Sequence, residues 1–199
     1  MRGGSLRLAA WQPHARAVRA PQRMHDWLVT PGSLTARLVA SSDVFRVRRL
    51  HQCSAPCLVD EAAAIGLARP QRAWEREVLL ECDGTPVVFA HTVVPMDCDA
   101  TDWPLFSALG ERSLGTTLFY DPLVQRGQLE FARLSAGHPL VRRAQAALGR
   151  PGQASNSNTN IYYARRCVYR RRQGLLLVTE VFLPAVLGLG AAATMKNIL

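Results

Sequence analysis

The chain has 199 residues, a formal charge of +9 and 48% hydrophobic residues, which suits one domain with a real core. Its basic residues are nearly all arginine, with Lys196 the only lysine, and they scatter from Arg2 to Arg172. They form no basic stripe and no known module, so nucleic-acid binding is set aside, while attraction of small anions is kept.

Residues 1–20 have no clear period and read as a flexible segment. From Gln22 to Thr30 a short helix is expected, with Met24, Trp27 and Leu28 on one side, broken by Pro31 and Gly32. Ser33 can cap a second short helix carrying Leu34, Leu38 and Val39. Two short helices around a tight turn make a natural flap. Val44 to His51 alternates as a strand, and Asp60 to Ala68 reads as a helix ended by Pro70. The stretch WEREVLLECDGTPVVFAHTVVP then gives two alternating runs around Asp83-Gly84. That is a strong hairpin signal, because both central turn residues need positive φ.

Asp102 can cap a helix through Leu109, and a second helix starts at Ser113 in SLGTTLF. Gly127 to Ser135 alternates as a strand, and His138 to Leu148 reads as a helix stopped by Gly149. RPGQASNSNTN is a polar loop. IYYARRCVYR and GLLLVTEVFL close the series as a hairpin around Arg171 to Gly174. The expected fold is α+β and a single domain. A six-stranded, mostly antiparallel sheet carries helices on one face, with two helix-turn-helix flaps over a buried pocket.

The five cysteines, Cys53, Cys57, Cys82, Cys98 and Cys167, form no Cys-x-x-Cys pair and follow no apolar leader. The chain therefore reads as cytoplasmic with free thiols. A zinc site from His51, Cys53 and Cys57 is conceivable, but the spacing is loose, and no metal is expected. The apolar run from Leu175 is cut by Glu180 and Pro184, well short of the roughly 20 residues of a membrane span.

Two charges sit on faces that want to leave water. In the first hairpin arm Glu75, Glu77 and Glu81 share a face that reads as mostly solvated. The other face carries Trp74, Arg76, Val78, Leu80 and Cys82, so Arg76 stands among apolar groups. Glu180 lies in GLLLVTEVFLP, with Leu176, Val178 and Phe182 on its own face. A buried guanidinium needs an anionic or well-oriented polar partner, and an isolated buried carboxylate takes up a proton. Two readings follow from these residues. Arg76 and Glu180 form a structural ion pair, or both line one pocket, Arg76 for a ligand carboxylate and Glu180 for a ligand hydroxyl. His91 reads as a surface or supporting strand residue, and His138 as a local structural residue at a helix start.

The blocks WEREVLLECDGTPVVFAHTVVP, LGERSLGTTLF and ARRCVYRRRQGLLLVTEVFLP, in this order and spacing, resemble the bacterial chorismate pyruvate-lyases. DWLVTPGSLTARL looks like the first flap of that family. The resemblance covers about residues 22–185. It implies a cofactor-independent carbon–oxygen lyase that eliminates pyruvate from chorismate to give 4-hydroxybenzoate for ubiquinone biosynthesis. It also carries the carboxylate-binding arginine onto Arg76 and the glutamate near the product hydroxyl onto Glu180. Flap contacts fall on Leu34, where some members have methionine, and on Leu114. The implied catalytic pair is Arg76 and Glu180. The implied layout is a catalytic domain over 21–186 and a C-terminal extension over 187–199, acting as a monomer on chorismate. The loop from Arg150 to Asn160 and the tail depart from the family pattern. The competing reading is a non-catalytic sensor domain of related fold that binds a small aromatic acid. In transcription regulators such domains follow a winged-helix region, for which the chain has no room.

Overall fold

The structure is a computed structural model, and it describes residues 9–98, 102–104, 106, 108–149 and 161–189. The expected loop at 150–160 and the tail beyond residue 189 lie outside the described residues. Among the described residues eleven α-helices and β-strands follow one another. They are α1 (Gln22–Leu28), α2 (Leu34–Ala40), β1 (Phe45–Pro56), α3 (Val59–Ala64), β2 (Arg72–Cys82), β3 (Thr85–Pro95), α4 (Leu114–Tyr120), β4 (Val124–Ser135), α5 (Pro139–Ala147), β5 (Ile161–Arg171) and β6 (Gly174–Phe182).

The six strands form one sheet in the order β1-β2-β3-β6-β5-β4, and every neighbouring pair is antiparallel. Two three-stranded meanders thus join edge to edge through β3 and β6. The first tight hairpin has Asp83 at φ 50° and Gly84 at φ 75°, the two positive values that the Asp-Gly pair is suited to supply. Asp83 Oδ1 also accepts the backbone N–H groups of Asp43 and Val44, which ties the entry of β1 to this turn.

Helices cover both faces of the sheet, where one was expected. Val47, Val78, Leu80, Val88, Ala90 and Phe182 pack under α1, α2 and a 3-10 turn at Ala15–Val18. On the opposite face Leu79, Phe89, Ala164 and Val181 pack against Leu140, Val141 and Ala144 of α5. Val93 and Leu177 meet Ala62 of α3 there. The reason lies in composition: β3 and β6 are apolar in both phases of the pleat, so neither face can be left wet. Each fully buried Phe89 or Phe182 contributes about 1.5–3 kcal/mol by leaving water.

The face of Glu75 and Glu77, expected to be solvated, is buried as well. Glu75 is 5% and Glu77 4% exposed, because α3 and α5 close over them. The segment 9–20 is not loose: Gln12 bridges Phe131, and Ala15 and Val18 enter the core. Likewise Leu187 and Leu189, assigned to the C-terminal extension, pack against the first cluster. The first flap forms as expected, with the Ser33 hydroxyl accepting the Ala36 N–H. In the second, the described residues between Asp102 and Arg112 make successive turns rather than a helix, and α4 alone is helical.

Candidate functional site

The strand register puts the two singled-out charges on one face. Arg76 on β2 pairs with Thr92 on β3, and Thr92 pairs with Val178 on β6. Glu180 stands two residues along β6, opposite Ala90. Two strand spacings and a two-residue offset separate the Cα atoms of Arg76 and Glu180 by roughly 12 Å. Between them lies a pocket with about 540 Å³ of empty space, part of it open to solvent. Its sheet wall is Val47, Arg76, Val78, Leu80, Ala90, Thr92, Arg165, Tyr169, Val178 and Glu180. Its roof is Gly32, Leu34 and Thr35 from the first flap and Ser113, Leu114, Gly115, Leu118 and Phe119 from the second. All four residues expected at the site, Leu34, Arg76, Leu114 and Glu180, therefore line one chamber.

The ion pair between Arg76 and Glu180 does not form. Arg76 is 2% exposed, and its NH2 group donates to the carbonyls of Gly110 at 3.1 Å and Arg112 at 3.0 Å. Its Nε has no hydrogen-bond partner among the described residues. Burial, and next the nearby Arg49, bring this guanidinium down to about 10, so it remains cationic at neutral pH. A buried cation met, among the described residues, by neutral carbonyls alone is well suited to a ligand carboxylate.

Glu180 instead meets Arg165, whose Nε donates to Glu180 Oε2 at 2.5 Å. Arg165 is 2% exposed. Sequence alternation did not single it out. The signal was present, since Arg165 shares a strand face with the apolar-side residues Cys167 and Tyr169, but the run ARR hid which arginine points inward. Among the described residues the chamber thus holds two guanidinium groups and one carboxylate. Burial, and then the charges of Cys167 and Glu180, push the Tyr169 phenol up, so it stays a neutral hydroxyl.

The two flaps meet over the cavity. Thr35 Oγ1 and Ser113 Oγ lie 2.7 Å apart. A Cβ on Gly115 would stand 2.9 Å from Thr35 Oγ1, so this glycine allows the close approach. The first flap is braced by Arg37, which stacks 3.9 Å over the Trp27 ring and donates to Thr30 Oγ1 at 2.7 Å.

A second charged group lies through the sheet, on the opposite face. His91 is 1% exposed. Its Nε2 stands 3.2 Å from Glu61 Oε1 and its Nδ1 3.3 Å from Glu77 Oε1, distances of ion pairs that lack hydrogen-bond alignment. Burial alone lowers the basicity of this imidazole, but Glu61 and Glu77 outweigh it and raise the pKa from 6.5 to about 9. His91 is thus a buried cation, which rules out the surface half of the reading of it as a surface or supporting strand residue. Arg143 NH1 completes the group, 3.1 Å from Glu75 Oε2 and 2.8 Å from Glu77 Oε1. Glu75, Glu77 and His91 have metal-ligand spacing, as do His51, Cys53 and Glu75. In the first set Arg143 and protonated His91 already neutralise the carboxylates. Cys57, considered with His51 and Cys53, packs instead with Ala62 and Ile65. His138 Nδ1 accepts the Leu140 N–H and caps α5 just ahead of Pro139, a structural role.

The fold and site define an antiparallel α+β domain with a charged chamber roofed by two flaps. The chain belongs to the chorismate lyase family, whose model matches residues 5–188. It is 47% identical over 180 residues to the probable chorismate pyruvate-lyase of Cupriavidus metallidurans, covering 90% of this chain and 82% of that one. It is 51% identical over 165 residues to the probable chorismate pyruvate-lyase of Ralstonia nicotianae, covering 83% of each. Among solved structures it resembles the effector domain of PhnF from Mycobacterium smegmatis. The TM-score there is 0.55 at 14% identity, over 78% of this chain and 91% of that one, a likeness of fold alone. No described helix is long and apolar enough to cross a membrane.

Proposed function

We propose that the protein is a chorismate pyruvate-lyase that converts chorismate to 4-hydroxybenzoate and pyruvate without a cofactor. The observation that supports this most is the pairing of two unlike charges in one chamber. Arg76 offers a cation with no anionic partner among the described residues, and Glu180 offers an oriented carboxylate across the same pocket.

Arg76 holds the ring carboxylate and Glu180 accepts the hydrogen bond of the ring hydroxyl. The carbon bearing that hydroxyl loses its proton, and the C–H electron pair enters the ring. The neighbouring C–O bond breaks, and its electrons leave on the enolpyruvate oxygen. The departing enolate takes that proton at its methylene carbon and becomes pyruvate. Aromatisation drives the step, so the protein's work is positioning and placement of charge. Glu180 is placed to take the ring proton as a general base. Direct transfer of that proton to the departing methylene leaves Glu180 a binding group. Leu34 and Leu114 exclude water from above. On this reading the protein acts as a cytoplasmic monomer in ubiquinone biosynthesis.

The test is incubation of purified protein with chorismate, reading 4-hydroxybenzoate by absorbance and pyruvate by a coupled assay. Equimolar appearance of the two supports the reading. Tight binding of 4-hydroxybenzoate with no turnover would instead favour a sensor, the role compatible with the PhnF-like fold.

A further inference from the structure

We infer that Arg165 is a positioning residue of this site, holding Glu180 as an oriented carboxylate and fastening the first flap over the cavity with the same guanidinium. The inference rests on the reading of Arg76 and Glu180 as the substrate-binding pair.

Arg165 and Glu180 are cross-strand partners in the β5–β6 ladder, so their 2.5 Å contact is set by the sheet. The other end of the same side chain reaches the flap. Arg165 NH1 donates to Leu28 O and to Thr30 O, each at 3.2 Å. Leu28 ends α1, and Thr30 precedes the Pro31-Gly32 turn that leads into α2. One planar cation with its donors in a fixed fork therefore joins a sheet carboxylate to a loop. Arg76 does the corresponding job for the second flap through the carbonyls of Gly110 and Arg112. The two arginines differ in one respect. Among the described residues Arg76 has no carboxylate against it, and so can receive one from a ligand. Arg165 already has Glu180.

Two consequences follow. Around Glu180 the chamber is walled by Leu80, Ala90 and Val178. Without Arg165, Glu180 Oε2 loses the donor that fixes its direction, so the carboxylate is no longer held toward the ring hydroxyl. Without the guanidinium, the carbonyls of Leu28 and Thr30 also lose their donor, and the first flap loses its tie to the sheet. Chemistry at Glu180 and retention of product thus depend on one side chain.

The experiment compares wild type, Arg165→Gln, Arg165→Lys, Glu180→Gln and the Arg165→Gln/Glu180→Gln double variant. Single-turnover formation of 4-hydroxybenzoate and dissociation of bound 4-hydroxybenzoate are both measured. Arg165→Gln should slow single turnover about 10- to 100-fold and speed dissociation. Arg165→Lys returns a cation to Glu180 and should recover most of the single-turnover rate. Dissociation should stay fast in that variant, because one ammonium cannot serve the carboxylate and two carbonyls together. The double variant should be no slower than the slower single variant, since Arg165 acts through Glu180. Additive losses overturn the inference, as does a lysine variant no better than glutamine or an unchanged dissociation rate. If Arg165→Gln does not fold, the lysine variant decides the matter by its rate split. A wild-type protein that does not turn over chorismate overturns the functional reading itself. A competent wild type with any of the contrary variant results overturns only the role of Arg165.

Discussion

Glu77 and His91 are cross-strand partners, and His91 Nδ1 stands 3.3 Å from Glu77 Oε1 while its Nε2 faces Glu61. This places a protonated imidazole between two carboxylates in the dry layer beneath α3 and α5. The cluster lies on the face opposite the chamber. It acts on stability, and its pH dependence can be worked out.

His91 has its folded pKa raised from 6.5 to about 9, so its contribution is complete below about pH 6.5 and is lost as pH rises through about 9. The rise corresponds to about 3 kcal/mol. Glu61 and Glu77 are pulled below 4.5 despite burial, chiefly by His91 and, for Glu77, Arg143. Their contribution is present above about pH 4.5 and is lost as pH falls below it. Urea unfolding across pH should therefore show a plateau between these limits with a decline on each side. His91→Gln should abolish most of the alkaline decline. An unchanged alkaline limb in that variant would show that other groups produce it.

Arg76→Ala should lower kcat/KM for chorismate by about 10- to 100-fold or more, the loss of a charge-assisted carboxylate contact of about 1.5–3 kcal/mol. The thermal midpoint should move little, because losing the two carbonyl contacts is offset by removing a buried charge. Near-normal kinetics would refute the anchor role.

Glu180→Gln separates binding from base catalysis. If Glu180 takes the ring proton, single-turnover rates should fall by about 100-fold or more. If it serves only as acceptor for the hydroxyl, single turnover should survive while 4-hydroxybenzoate binds more weakly. Stopped-flow absorbance and product titration on the same preparation distinguish the two.

The hydroxyl pair of Thr35 and Ser113 should govern how fast the flaps part. Ser113→Ala or Thr35→Val removes a hydrogen bond with a net worth of about 0.5–1.5 kcal/mol, which predicts product dissociation about 2- to 10-fold faster. Gly115→Ala should act in the same direction, because its methyl group would meet Thr35 Oγ1 at 2.9 Å and push the flaps apart. Dissociation measured by displacement with excess unlabelled product checks both, and a rate equal to wild type in all three variants would exclude the latch.

Much of this was legible in the linear chain. Asp83-Gly84 announced its hairpin because few other residue pairs accept two positive φ values, and Ser33 announced its helix because a hydroxyl satisfies an orphan N–H. Strand alternation found Arg76 and Glu180 because period two is a local property, and a charge out of phase with polar neighbours stands out. Resemblance of three blocks supplied the family, and through it Leu34 and Leu114, which no local rule marks.

What alternation cannot carry is the far side of the sheet. The phase of Glu75 and Glu77 looked wet because a strand records which residues share a face, not what is packed over it. Only the docking of α3 and α5 turned that face into a buried ionic layer and made His91 a cation. The choice between an Arg76–Glu180 ion pair and an open chamber was likewise beyond the sequence. It depended on strand order, which sets the two charges two strands apart and brings Arg165 beside Glu180. Chain-local chemistry determined the elements and the two inward charges. Long-range pairing decided their partners, because electrostatic partnership depends on distances that only the assembled sheet defines.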